Sequence, residues 1–157
     1  MSKVESRLAE LGHTLPAVPA PIAAYVPATL SGTYVFTSGQ LPTVDGVLLA
    51  TGHVGNGADD VDVETANKCA QRSGLNALAA VKSVIGDLDR VVRIVKVTGF
   101  IACRPDFTNH SAVINGASEL FGAVFGEAGL HARSSVGMAS LPLGAPVEIE
   151  IIVEVRP

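Results

Sequence analysis

The chain has 157 residues, a formal net charge of −4, and a composition that is 48% hydrophobic but only 17% charged. This length predicts one domain with a single core, and the acidic balance with scattered lysines and arginines disfavours nucleic-acid binding. The apolar excess favours a homo-oligomer, because partner subunits would cover part of the apolar surface.

The first residues predict a short helix and no targeting signal. Residues 2 to 11 place Val4, Leu8 and Leu11 on one helical face, and Gly12 ends the pattern. The segment MSKVESRLAELG is charged where a signal peptide would be apolar, and no apolar run is long enough to cross a membrane. We therefore expect a cytoplasmic protein. The following segment is expected to be extended, because it contains Pro16, Pro19, Pro21 and Pro27.

Two short strands and a long helix are predicted next. The first strand is Tyr34 to Ser38, and the second is Val47 to Ala50, which follows the Asp45-Gly46 turn. From about Asp62 to Ile85 apolar and small residues recur with a helical period, and Gly86 follows. This part of the chain therefore changes from strand to amphipathic helix.

The second half predicts a central strand, a second helix and two further strands. Val91 to Ile101 is rich in Val and Ile, as a covered strand would be, and Asn109 to Phe125 has apolar residues at spacings of three and four. Arg133 to Ser140 is predicted as a strand. The last strand, Val147 to Val155, alternates strictly, with one face formed by Val147, Ile149, Ile151, Val153 and Val155.

This order of elements predicts an α+β two-layer domain. Strand, strand, helix, strand, helix, strand, strand is compatible with a mixed sheet that carries two long helices on one face. The opposite face of the sheet must then meet solvent or another subunit.

Arg133 is the first candidate for a functional side chain. In HARSSVGMASLP it shares a strand face with Ser135 and Gly137, which are small and leave space in front of the guanidinium. An arginine fork binds a carboxylate through two hydrogen bonds. The alternative is an arginine at a strand end that reaches water or pairs with a neighbouring glutamate.

Glu148 is the second candidate, and its role depends on how the last two strands pair. If they pair across the connection at residues 141–146, Glu148 reaches the space in front of Arg133, where a carboxylate could orient or deprotonate a water. The alternative is a solvated strand face that Glu148 shares with Glu150 and Glu154.

Two further residues have open roles. Tyr25 is an isolated aromatic in a proline-lined segment and could cap a pocket or pack against the core. Asn115, inside the second long helix, could bond a ligand, another subunit or only water.

The chain offers no metal-ligand pattern, because His13, His53, His110 and His131 form no i, i+4 pair. His131 is the one of interest, two residues before Arg133.

The two cysteines predict no disulfide and no metal site. Cys69 and Cys103 lack a C-x-x-C spacing, and each lies in a stretch predicted to be buried. Small core thiols in a reducing compartment are the simpler interpretation.

Several segments, taken in order, resemble the RidA family, also called the YjgF family. They are PAPIAAYVPA at residues 19–28, TSGQLP at 37–42, VVRIVKVTGFIACRPDF at 91–107, VINGASELFGAVFGEAG at 113–129 and ARSSVGMASLPLGAPVEIEIIVEV at 132–155. The resemblance covers residues 19–157 and leaves residues 1–18 as an N-terminal extension. It implies a chorismate-mutase-like fold of the bacillus type and a homotrimer with clefts between subunits.

The resemblance also implies an activity and roles for the candidates. Its best-understood members hydrolyse reactive enamines and imines derived from amino acids to 2-oxo acids and ammonia, as 2-iminobutanoate/2-iminopropanoate deaminases do, without a metal or other cofactor. By motif position Arg133 would clamp the substrate carboxylate and Glu148 would position the attacking water. Tyr25 and Asn115 would line the pocket, and the backbone at Ser135 would bond the substrate.

Two departures from the family pattern leave the substrate open. Ala23-Ala24 precede Tyr25 where a Gly-Pro is typical, and Ser135 stands where a cysteine is typical. A divergent, longer branch is the expectation. The alternative to a deaminase is a non-catalytic trimeric module that senses a small carboxylate metabolite in the same cleft. A ribonuclease or translation inhibitor is disfavoured by the acidic balance.

Overall fold

The computed structural model describes residues 2–18 and 23–157, so Pro19 and Pro21 of the predicted lead-in lie outside the described residues. In chain order the elements are α1 (Lys3–Glu10), β1 (Ala28–Ser31), β2 (Tyr34–Thr37), β3 (Thr43–Val44), β4 (Val47–Leu48), α2 (Val63–Ile85), β5 (Val91–Ala102), α3 (His110–Phe125), β6 (Ala132–Met138) and β7 (Val147–Val155).

The three predicted helices are confirmed, and local sequence explains where they start. Ser2 and Glu5 form a capping box at the start of α1, and the Asp62 carboxylate accepts a hydrogen bond from the Thr65 N–H at 2.7 Å at the start of α2. Leu8 is only 1% exposed. The short N-terminal helix therefore packs into the same core as the rest of the chain.

Five strands form a mixed sheet in the order β1-β2-β7-β5-β6, in which only β5 and β6 run parallel. The predicted alternation of β7 is confirmed, because every second residue from Val147 to Val155 is buried. α2 and α3 cover that buried face and complete one hydrophobic core. The predicted two-layer α+β domain, with a chorismate-mutase-like fold, is therefore the observed one.

The predicted pairing of the last two strands is wrong. β5 lies between β6 and β7, so these two strands are not neighbours. The physical reason is that β5 is long and apolar, and a central position lets strands on both edges hydrogen-bond its backbone while the helices cover its buried side chains. The connection after β6 therefore carries the chain past β5 instead of closing a hairpin.

The first strands also differ from the prediction. β1 was not expected, yet it pairs with β2 through the two-residue loop Gly32-Thr33, with Ser31 opposite Tyr34. The predicted strand at Val47 to Ala50 does form at Val47–Leu48, but it pairs with β3 in a separate two-stranded ribbon. Whether a short strand with few apolar residues forms, and which strand it pairs with, depends more on the available partner than on its own composition.

α2 and α3 approach each other closely at Gly116. A Cβ atom at this position would lie 2.0 Å from the carbonyl oxygen of Asn67 in α2, and Asn67 Nδ2 donates to the Ala112 carbonyl at 2.9 Å. Only glycine permits this contact. Because Gly116 is next to Asn115, this contact also fixes the position of Asn115. It therefore determines which side chains the Asn115 face of α3 can contact.

The second face of the sheet is not covered by the described chain. Tyr34, Phe36, Val136 and Met138 on this face are 38–41% exposed, and β6 is an edge strand. An apolar face beside an open strand edge is a typical surface for another subunit.

Candidate functional site

Arg133 lies on the edge strand β6 and faces the helices. Its partner in the sheet register is Val97 of β5, which is fully buried under the helices. Ser135 and Gly137 follow on the same side of β6, as predicted from their spacing. The guanidinium is therefore half-buried between the sheet edge and α3.

One nitrogen of Arg133 is held by two side chains of α3. Nη1 donates to Asn115 Oδ1 at 2.8 Å and to Ser118 Oγ at 3.1 Å. Asn115 and Ser118 are three residues apart and so lie on one helical face. Within residues 2–18 and 23–157, Nε and Nη2 of Arg133 have no hydrogen-bond partner. These two nitrogens form the side of the guanidinium that matches a carboxylate.

His131 extends this network and sets the direction of its hydrogen bonds. His131 Nδ1 lies 2.6 Å from the Gly129 carbonyl oxygen, so this nitrogen carries the hydrogen, and Nε2 accepts from the Ser118 hydroxyl at 2.9 Å. Burial lowers the pKa of His131, and the nearby charge of Arg133 lowers it further. The imidazole is therefore neutral at neutral pH, and the Ser118 oxygen stays free to accept from Arg133.

Ser135 adds a second unused polar group on the same side of β6. Its Oγ is buried and has no hydrogen-bond partner in the described part of the chain. Buried hydroxyls are usually bonded, so the Ser135 hydroxyl is an unsatisfied polar group close to Arg133.

Glu148 lies on the other face of the sheet, opposite Phe100 of β5. Burial raises the pKa of its carboxyl group, and the neighbouring charge of Glu150 raises it further. The carboxylate lies against Gly39, where a Cβ atom would come within 1.8 Å of Oε1. Gly39 also lines a cavity together with Tyr25, which is 46% exposed.

The structure thus brings Asn115 and Ser135 to Arg133 but does not bring Glu148 or Tyr25 there. We call the first set, Arg133 with Asn115, Ser118, His131 and Ser135, the arginine half. We call the second set, Glu148 with Gly39 and Tyr25, the glutamate half. The expectation that Glu148 reaches Arg133 within one chain is wrong, because β5 separates their strands and the two side chains point to opposite faces of the sheet.

Sequence reasoning missed Ser118 and Gly39. Ser118 is polar, lies three residues after Asn115, and therefore shares its face, which was a usable signal. Gly39 lies within the TSGQLP segment, but its contact with Glu148 depends on the bridge between Gln40 and Ile149 of β7. Nothing local in the sequence indicates that bridge.

Both cysteines are free, and neither forms a disulfide. Burial raises the pKa of the Cys69 thiol to about 11, and it also raises that of Cys103, which lies 3.6 Å from His110 Nε2. Within the described ranges no three His, Cys, Asp or Glu side chains group as metal ligands. Among the same residues no helix has the length and apolar character needed to span a bilayer.

Comparison with known proteins agrees with this architecture. Residues 5–155 match the family model described as "YjgF/chorismate_mutase-like, putative endoribonuclease". The chain is 42% identical to Protein TCP17 of Trypanosoma cruzi over 155 residues, which cover 98% of this chain and 95% of the relative.

Solved structures show the same relationship. Atu1372 of Agrobacterium tumefaciens, described as a protein of unknown function, is 47% identical with a TM-score of 0.89, covering 98% of this chain and 93% of that chain. E. coli TdcF with bound serine is 29% identical with a TM-score of 0.64, covering 89% of this chain and 94% of that chain. The resemblance stated from the sequence is thereby confirmed, and the chain belongs to the YjgF (RidA) family.

Proposed function

We propose that the protein hydrolyses 2-imino acids and their enamine forms to 2-oxo acids and ammonia, in clefts between the subunits of a homotrimer. The observation that carries this proposal is the half-free guanidinium of Arg133. Its Nη1 is fixed by Asn115 and Ser118, whereas Nε and Nη2 have no partner among the described residues. A preorganised fork of this kind binds a substrate carboxylate with little loss of side-chain entropy.

The arginine half would bind the acid end of the substrate. A carboxylate on Nε and Nη2 would place the neighbouring C2 atom beside β6, where the Ser135 hydroxyl is unpaired. The structure of E. coli TdcF with bound serine supports a small amino-acid-derived ligand, since that relative shares the fold at a TM-score of 0.64.

The glutamate half would handle the water and its protons. A half-buried carboxyl group with a raised pKa takes up and releases a proton more readily than an ordinary exposed carboxylate does. With its carboxyl group protonated, Glu148 would first donate that proton to the enamine carbon, which gives the iminium ion. The water oxygen then bonds to C2 while the Glu148 carboxylate takes a proton from the water and the C=N electron pair moves to nitrogen. Glu148 returns this proton to nitrogen. As C2–N breaks and ammonia leaves, the hydroxyl proton passes to the Glu148 carboxylate and the C2 hydroxyl becomes the carbonyl.

The two halves would meet across a subunit boundary. Within one chain β5 separates them, but β6 has an open edge and the adjoining sheet face exposes Tyr34, Phe36, Val136 and Met138. In a ring of three subunits each interface joins two different surfaces of the same chain. Such a contact would set Glu148 of one subunit against Arg133 of the next and form three equal clefts.

The second candidate is a non-catalytic module that binds a small carboxylate. It is favoured by one observation: the arginine half is assembled without any contribution from Glu148. In this case ligand binding would persist without turnover, and replacing Glu148 would have no consequence for binding.

The test follows product release from 2-imino acids that an amino-acid oxidase generates in situ. Ammonia and 2-oxo acid should appear faster than in buffer with the wild type, and at the buffer rate with Arg133→Ala. Absence of any acceleration across several amino acids would reject the deaminase, and calorimetric binding of a 2-oxo acid without turnover would support the binding module. A single-stranded RNA, incubated in parallel, tests the endoribonuclease description of the family.

A further inference from the structure

A cavity of about 630 Å³ adjoins the glutamate half and shares Tyr25 and Gly39 with it. Gly39 is the residue against which the Glu148 carboxylate lies, so the cavity begins next to the group proposed to handle the water. Much of the remaining wall comes from residues 14–18, from the loop that carries β3 and β4, from α2 and from Leu143. A cavity of this volume is typical of pockets that bind small molecules.

The surface of this cavity is mainly apolar, and its charged groups compensate each other. The apolar side chains on its wall include Pro16, Ala17, Val18, Leu41, Val44 and Leu143. Arg72 donates through Nε to the Thr43 carbonyl at 2.8 Å and has the Asp45 carboxylate as a charge partner. Asn76 donates through Nδ2 to the Leu41 carbonyl at 2.8 Å. Since the described lining residues carry one charge of each sign, the cavity favours an uncharged, apolar group.

The wall formed by residues 14–18 is held in place through α1. The Asp89 carboxylate accepts hydrogen bonds from the first two backbone N–H groups of α1, at 2.9 Å each. Leu8 is buried in the core, and the His13 N–H donates to its carbonyl at 2.9 Å. Because this wall is already fixed, an apolar group can enter without the cost of ordering it.

Leu143 is an unusual residue on the rim of this cavity. It has a φ of 60°, in the left-handed region that leucine rarely adopts, and its side chain is 66% exposed. Backbone strain of this kind is typical of positions where the placement of a side chain serves a function. A ligand group in the cavity would cover this exposed leucine.

We propose that this cavity receives the side chain of the substrate, and that the preferred substrates are 2-imino acids with a large apolar side chain, such as the one derived from leucine. This inference rests on the deaminase function proposed above and narrows its substrate class. With C2 beside Glu148, the substrate side chain would extend past Gly39 into the cavity, and both residues belong to the same subunit.

The size of the expected preference follows from the apolar surface that becomes buried. The imine from alanine carries only a methyl group and would leave most of the wall uncovered. The imine from leucine has three more carbon atoms, and each buried carbon contributes about fourfold, so its kcat/KM should be about 50-fold higher.

The test compares 2-imino acids that D-amino-acid oxidase generates in situ from D-leucine, D-alanine and D-asparagine. C2 of an imino acid is not chiral, so the D-amino acids give the same imines as their L forms. The asparagine side chain has nearly the shape of the leucine side chain but is polar, so its imine should be hydrolysed no faster than that from alanine. Equal kcat/KM for the three imines would overturn the proposal and leave the deaminase itself intact.

Two variants place the preference in this cavity. Ala17→Phe fills part of it and should lower kcat/KM for the leucine imine by about tenfold or more, while the alanine imine changes by less than about twofold. Ala9→Phe is the matched control, because Ala9 is exposed on α1 and does not line the cavity. Leu143→Gly suits the left-handed backbone and should lower the preference by about fourfold or more. If Ala17→Phe fails to fold, Leu143→Gly decides, and an unchanged preference would exclude the cavity as the side-chain pocket.

Calorimetry separates failure of this proposal from failure of the deaminase. If no imine is hydrolysed faster than in buffer, the deaminase function is rejected, and the pocket is tested by the binding of 2-oxo acids. 4-Methyl-2-oxopentanoate should then bind about tenfold or more tightly than pyruvate, and Ala17→Phe should remove the difference. Equal affinity for the two acids, or binding of neither, would overturn the side-chain pocket.

Discussion

The two halves of the candidate site hold their charged groups in opposite ways. Arg133 is anchored through Nη1 to two side chains of α3, one of which is held in turn by His131. Glu148 lies against the backbone of Gly39, and the pKa of its carboxyl group is raised by burial and by Glu150. The arginine half holds a permanent charge in one geometry. In the glutamate half the surroundings disfavour the charged form of Glu148, as suits a group that must gain and lose a proton.

This contrast connects local structure with chemistry. The Gly116 contact between α2 and α3 sets the position of Asn115, and therefore of the guanidinium. Glu148 obtains its environment from β7 and from the segment at Gly39, on the other side of the sheet. Since no element positions both groups, changes in one half should affect its own function and leave the other half intact.

The largest effect is expected from removing the guanidinium. Arg133→Ala should lower kcat/KM for a 2-imino acid by about 1000-fold, since it removes a preorganised two-point contact with the carboxylate. Arg133→Lys is the matched control, and it should recover only part of the loss, because an ammonium cannot form the fork. Steady-state assays of ammonia release measure both variants. A loss of less than tenfold in Arg133→Ala would mean that Arg133 does not bind the substrate.

The second-largest effect is expected from replacing Glu148, which should lower turnover while slightly raising stability. Glu148→Gln should lower kcat by about 100-fold or more with little change in KM, the range expected for loss of a general acid/base. The raised pKa means that the folded state binds a proton more readily than the unfolded state, so between pH 4.5 and the raised value stability falls as pH rises. At neutral pH the neutral amide should therefore raise the free energy of unfolding slightly, by about 0.5 kcal/mol.

Glu150→Gln serves as the control for this variant. It removes only the smaller cause of the raised pKa and keeps the buried carboxyl group at position 148, so activity should remain near that of the wild type. A Glu148→Gln protein that unfolds more easily in urea at pH 7 would contradict the assignment, because the charge would then have a stabilising partner.

Mixing the two inactive variants would show how the halves meet. If Arg133 of one subunit faces Glu148 of another, random mixing of Arg133→Ala and Glu148→Gln chains in equal amounts restores both groups in about a quarter of the clefts. Activity should then recover to about a quarter of the wild-type value after the chains are unfolded and refolded together. Recovery absent from a mixture of confirmed trimers would place both groups in clefts formed by one chain, and a monomeric mass would reject the trimer itself.

The smallest effects should come from the residues behind Arg133. Ser118→Ala should raise KM by about fivefold, which is the effect expected from the loss of one hydrogen bond, and leave kcat nearly unchanged. The lowered pKa of His131 means that the unfolded state takes up a proton at higher pH than the folded state. Its contribution to stability is therefore full above pH 6.5 and declines as the pH falls below that value.

His131→Gln tests this linkage directly. The difference in unfolding free energy between wild type and variant should stay nearly constant above pH 6.5 and shrink as the pH is lowered below that value, and urea titrations at several pH values measure it. A difference that does not change with pH would show that His131 keeps the same affinity for protons in both states.

Prediction from sequence succeeded where periodicity alone decides the outcome. The alternation in β7 and the spacing of three and four in α3 identify their buried faces, because a side chain's face follows from its position along the element. The same logic placed Arg133, Ser135 and Gly137 on one side of β6. Asn115 was predicted to bond a ligand, another subunit or only water, and its contact with Arg133 could not be inferred from the helix alone.

Sequence by itself therefore determined the helices, the class of fold, the family and the faces of the main strands. Only the tertiary structure decided which strands are neighbours, and so which polar groups meet. β5 lies between β6 and β7 because this central position pairs its backbone on both edges and places its long apolar run under the helices. That non-local choice separates Arg133 from Glu148 within one chain. The packing of α3 against the edge strand β6 brings Ser118, and through it His131, to Arg133.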